Sequence, residues 1–110
     1  MNVLLVDDDQ SIIRVLTLAL AAEGVDDVRV AKSGTIALDT AADFRPDVII
    51  LDYWMPVMDG ADTAKKLREL CPGARIVAFS GALEEKPEWA DDFYVKGDLP
   101  DLHRIIHLDD

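Results

Sequence analysis

The sequence predicts an α/β domain: a doubly wound, five-stranded parallel sheet with helices on both faces. Two observations predict it. Short apolar runs alternate along the chain with stretches whose apolar residues recur at helical spacing. Most of the runs are also apolar at successive positions rather than at every second one, which is the mark of strands buried on both faces.

The first strand is expected over Val3–Val6. In the helix after it, Ile13, Leu16 and Leu20 recur at three- and four-residue spacing and form one face, and Gly24 stands where the helix should stop. Val28–Ala31 is the second strand. Ser33-Gly34 opens a second helix running through Ala42, ahead of Pro46. Val48–Leu51 is the third strand. A third helix runs from about Ala61 to Leu70, with Ala64, Leu67 and Cys71 on one face and Pro72-Gly73 ending it. Ile76–Phe79 and Phe93–Val95 are the last two strands, and a final helix carries Leu102, Ile105 and Ile106. Between Gly81 and Asp92 there is room for about two helical turns at most, and Pro87 fits only a first turn. The fourth helix is therefore expected to be short or irregular. No internal repeat, linker or low-complexity tract interrupts the chain.

The 110 residues suit one domain, and 50% hydrophobic residues supply its core. No apolar run approaches the ~18 residues of a membrane span, and MNVLLVDDD lacks the basic start of a signal peptide. The single cysteine, Cys71, rules out an internal disulfide and suits a reducing, cytoplasmic setting. Its helical register makes it a small core residue rather than a reactive thiol. A net charge of −11 argues against direct contact with nucleic acid. It suits a divalent metal or a basic partner surface, and equally mere solubility.

The residues that follow the strands carry the chemistry. Asp7, Asp8 and Asp9 follow the first strand, Asp52 the third, Ser80 and Gly81 the fourth, and Lys96 the fifth. Ligands of such sheets bind at the carboxyl ends of the strands, near the switch in strand order. Clustered carboxylates repel one another unless a cation sits among them, and hard oxygen donors suit Mg²⁺. A lysine facing the metal completes a site for a doubly charged anion, which is what phosphoryl transfer needs. A carboxylate can itself be the nucleophile and form an aspartyl phosphate. Asp9 reads as the cap of the following helix, and Asp59-Gly60 as a cap and turn before the third. His103 and His107, four apart, read as solvated surface, since no further histidine or cysteine accompanies them.

The elements LLVDDD, LDYWMPVMDG, AFSG and FYVKG occur in an order that resembles the receiver domains of two-component response regulators, of the stand-alone, CheY-like kind, and they span the chain. The resemblance implies a role for each matching position. Asp52 would be the phosphoacceptor. Asp8 would ligate Mg²⁺ directly, Asp7 largely through water, and the Trp54 backbone carbonyl would be a further ligand. Lys96 would pair with the phosphoryl oxygens, Ser80 would be the switch hydroxyl, and Phe93, three residues before Lys96, the switch aromatic. Partners would be a sensor histidine kinase or a histidine phosphotransfer protein, together with an output protein that the sequence does not identify.

Three features depart from the family pattern. Ser80 and Lys96 stand closer together than is usual, by about one and a half helical turns. Gly97 replaces the usual proline and locks no peptide isomer. Trp54 is a bulky neighbour for an acyl phosphate, where it would shield the group from water, contact a partner or do neither. The chain stops soon after the last helix, as a stand-alone regulator or as a piece of a longer protein. Two rival functions remain. A Mg²⁺-dependent phosphohydrolase using Asp52 commonly needs a second acid two residues on, where Trp54 stands. A receiver-like scaffold that is never phosphorylated would not need the full acidic set.

Overall fold

The computed structural model describes residues 1–52, 60–79, 85–95 and 106. Among them are five strands, β1 (Asn2–Val6), β2 (Asp27–Ala31), β3 (Val48–Leu51), β4 (Arg75–Phe79) and β5 (Asp92–Tyr94). The helices are α1 (Gln10–Ala22), α2 (Gly34–Phe44) and α3 (Gly60–Leu70). The strands form one parallel sheet in the order β2-β1-β3-β4-β5. The chain steps outward from β1 to β2, then crosses back to place β3 on the other side of β1. That reversal makes the carboxyl ends of β1 and β3 the switch point of the sheet.

Alternating residues of the central strands feed two cores. Leu4, Val6, Ile49, Leu51 and Ile76 pack with Ala37, Ala41 and Phe44 of α2 and with Ala64 and Leu67 of α3. Val3, Leu5, Val48, Ile50, Val77 and Phe79 pack with Leu16 and Leu20 of α1 and with Ile106. The unbroken apolar runs are thus explained: both faces of β1, β3 and β4 are covered. β2 differs, because it lies at the sheet edge and leaves Val30 exposed. Of the last helix, Ile106 alone falls among the described residues; it is helical and buried.

Local chemistry bounds the helices close to where the sequence indicates. The Ser33 hydroxyl caps α2 by accepting the Ile36 N–H at 3.2 Å. α2 runs two residues beyond Ala42 and stops at Arg45, which adopts a left-handed φ of 53°. Gly24, at φ 87°, turns the chain after α1. Cys71 packs partly buried against the α2–α3 core.

The fifth strand sits one residue earlier than the apolar run suggests: it spans Asp92–Tyr94, and Val95 is exposed. Polar anchors set the register. The Asp91 carboxylate accepts the Ile76 N–H at 2.8 Å, the Asp91 N–H donates to the Ile76 carbonyl at 2.7 Å, and Asp92 pairs with Arg75. The expected short fourth helix falls partly on residues 81–84, outside the described ones. Among the described residues 85–91 there is a turn, closed by the Ala90 N–H on the Pro87 carbonyl at 3.2 Å, and no helix.

Candidate functional site

The site begins with the register of the two central strands. Val6 lies opposite Leu51, so Asp7 and Asp52 emerge side by side from neighbouring strands. The ladder continues one step beyond the strands: the Asp52 N–H donates to the Val6 carbonyl at 2.9 Å, and the Asp7 N–H to the Ala31 carbonyl at 3.0 Å. Backbone bonds on both sides therefore hold the two α-carbons, and only the side chains remain adjustable. Asp7 and Asp52 are 3% and 4% exposed, whereas Asp8 is open to solvent. Two carboxylates this deeply buried cost several kcal/mol unless polar or cationic partners compensate them.

Asp7, Asp8 and Asp52 each present one carboxylate oxygen, and these three atoms lie within 4.8 Å of one another. Ligands facing each other across Mg²⁺ stand about 4.2 Å apart, twice the usual Mg–O distance. Small side-chain rotations close the trio on such an ion. All donors are hard oxygens, and the exposed Asp8 leaves an open side for water or a phosphoryl oxygen. The residues thus fit Mg²⁺ in number, donor type and spacing.

Asp9 is the N-cap of α1, with its Oδ1 accepting the Ser11 N–H at 2.9 Å and the Ile12 N–H at 3.4 Å. Its own N–H donates to Asp7 Oδ1 at 2.9 Å. The cap was legible in the sequence; the bond back to Asp7 has the two-residue spacing of an Asx turn, a local signal that the reading of Asp7 as a metal ligand passed over.

Phe93 lies opposite Ala78 and is half-buried, while Tyr94 lies opposite Phe79 and packs in the α1-side core. The two rings therefore belong to opposite faces of β5, and Phe93 is the one directed away from α1. Trp54, Ser80 and Lys96 lie outside the described residues, as do Asp59, Gly97, His103 and His107. Among the described residues no helix is long and apolar enough to cross a membrane.

Sequence spacing also missed a clamp beside β5. Arg68 of α3 donates to the carbonyls of Ala74 (3.2 Å) and Trp89 (3.1 Å) and pairs with Asp91 at 3.2 Å. It ties the 85–91 turn to α3, and Trp89 packs against the α2–α3 core.

Comparison with known proteins places this geometry. The pattern of the response regulator receiver domain matches residues 3–94. The regulatory protein AtoC of Escherichia coli is 39% identical over 112 residues, covering 96% of this chain and 24% of AtoC. The DNA-binding response regulator MtrA of Mycolicibacterium paratuberculosis is 42% identical over 67 residues, covering 61% of this chain and 29% of MtrA. The chain thus spans about a quarter of the length of these curated relatives. Among solved structures, the response regulator TrrA of Thermotoga maritima in complex with Mg²⁺–BeF is 28% identical, with a TM-score of 0.79 over 88% of each chain. The complex of histidine kinase ThkA with TrrA matches at 27% identity and a TM-score of 0.83, over 96% of each chain.

Proposed function

The chain belongs to the response regulator receiver domain family, and from that membership we propose that it is a phosphoryl-accepting switch with Asp52 as the acceptor. The observation that carries this reading is the buried Asp52 carboxylate, held by the β1–β3 register within 4.8 Å of the ligand atoms of Asp7 and Asp8. Like TrrA, which forms a complex with Mg²⁺–BeF, it takes up Mg²⁺, here on Asp7, Asp8 and Asp52, with the Trp54 carbonyl as a further ligand. When bound, the ion neutralises charge on the transferring group and on the acidic trio.

An Asp52 oxygen attacks the phosphorus of a phosphohistidine in line. A P–O bond forms, the P–N bond breaks, and the imidazole leaves and takes up a proton. Lys96 pairs with the phosphoryl oxygens, Ser80 closes on them, and Phe93 repacks, so the modification shifts a two-state population. The donor is a histidine kinase or a histidine phosphotransfer protein, by analogy with the ThkA–TrrA pair. Output runs through protein–protein contact in the cytoplasm, without direct binding of nucleic acid. The protein acts as a signalling domain, and its only chemistry is its own phosphorylation and dephosphorylation.

The test is intact mass after incubation with acetyl phosphate, with and without Mg²⁺, for the wild type and Asp52→Asn. One added phosphoryl group that needs both Mg²⁺ and Asp52 supports the switch. Uptake by Asp52→Asn at the wild-type rate sinks it.

A further inference from the structure

We propose that Asp9, besides capping α1, is a positioning residue for the cation site, coupling the helix N-terminus to the Asp7 carboxylate. The inference rests on the reading above, that Asp7, Asp8 and Asp52 take up Mg²⁺. Asp9 is not one of the three grouped carboxylates, yet it bonds in both directions along the chain. Forward, its Oδ1 accepts the Ser11 and Ile12 N–H groups. Backward, its N–H donates to Asp7 Oδ1 at 2.9 Å.

The two bonds are mechanically linked. The forward pair holds Asp9 at φ −88° and ψ 108°, the extended conformation of a capping residue. Fixing the φ of Asp9 restrains the peptide group before it, and that group carries the N–H aimed at Asp7. Asp7 is almost wholly buried, so its carboxylate plane is set by such bonds rather than by water. Anchoring one of its oxygens orients the group and makes the ligand set ready before the ion arrives. Without the cap, the turn between β1 and α1 gains freedom, and one of the bonds that orient the Asp7 carboxylate is weakened.

A cap that served only helix stability would behave like Ser33, which caps α2 through the Ile36 N–H and lies outside the acidic group. The experiment therefore compares Asp9→Ala, Asp9→Asn and Ser33→Ala in the whole chain. Mg²⁺ is titrated by calorimetry at physiological ionic strength, and thermal melting reports stability in parallel. Both alanine variants should lose stability. Asp9→Ala alone should weaken Mg²⁺ binding, by roughly ten-fold. Asp9→Asn keeps an oxygen acceptor of equal capping strength and should recover most of the affinity that Asp9→Ala loses, the remainder reporting the lost charge. Wild-type affinity in Asp9→Ala overturns the proposal, as does equal weakening in Ser33→Ala. No Mg²⁺ uptake by the wild type overturns the underlying site along with it, and that outcome is recognised before any variant is made.

Discussion

The Arg68 guanidinium stands 3.2 Å from the Asp91 carboxylate and joins α3 to the residue just before β5. Both side chains are more than a third exposed, so the ion pair itself contributes little. Arg68 also donates to the Ala74 and Trp89 carbonyls, and Asp91 accepts the Ile76 N–H. One planar, forked donor thus fastens the turn before β5 to α3.

Arg68→Ala is expected to cost about 1–2 kcal/mol, mostly from the carbonyls left without their donor. Arg68→Lys should recover less than half of this, because an ammonium cannot span three separated acceptors in one plane. Urea denaturation of the two variants checks both values. If Arg68→Lys matches the wild type, charge rather than geometry holds the turn.

Asp52→Asn is expected to stabilise the Mg²⁺-free protein, by roughly 1–2 kcal/mol, because it removes one of three mutually repelling carboxylates. Saturating Mg²⁺ should reverse the order. At a concentration a hundred times the dissociation constant, the ion adds about 2.7 kcal/mol to the wild type and much less to the variant. Melting curves with MgCl₂ and with chelator test this. An Asp52→Asn variant less stable than the wild type in chelator would show that the buried carboxylate is fully compensated by its protein neighbours.

Arg45→Gly is expected to raise the unfolding free energy by about 0.5–1 kcal/mol. Arg45 ends α2 at a φ of 53°, a region that costs a residue with a Cβ about 1–2 kcal/mol. Glycine occupies it freely, at some loss of entropy. The Arg45 N–H on the Ala41 carbonyl is kept by any residue but proline. Thermal melting settles it; a lower Tm would mean that the Arg45 side chain contributes more than its backbone conformation costs.

Burial raises the pKa of the Cys71 thiol above its ordinary value, and the nearby Arg45 charge opposes this only in part. A raised value means less thiolate at any given pH. Alkylation should therefore run slower than that of an unstructured cysteine at pH 8, and should still be climbing where the reference has levelled off. Arg45→Gly removes the opposing charge and should slow the reaction further. A rate equal to that of the free thiol would place Cys71 in water rather than against the core.

Much of the fold was legible in the sequence because burial leaves a period. Unbroken apolar runs marked β1, β3 and β4, and three- and four-residue spacing marked α1 and α3. The Ser33 cap, the Gly24 stop and the Asp9 cap could be read locally, since each depends on residues within one turn. β5 was displaced by one position because the visible signal was the apolarity of Phe93–Val95. The deciding interactions were Ile76 with Asp91 and Arg75 with Asp92, across a parallel crossover. β2, with Arg29 between Val28 and Val30, took its place at the sheet edge from the order of the strands, which no single strand encodes.

The sequence by itself determined which residue types follow the strands, and so the donors available there: an acidic set of hard oxygens suited to Mg²⁺. It did so because composition and period are local properties. Only the tertiary structure decided that Asp7 and Asp52 stand side by side and that Arg68 fastens the turn before β5. Those facts depend on strand order and register, which arise when separate segments bury their apolar faces against one another. Residues 45 positions apart then become neighbours for reasons that lie in neither segment alone.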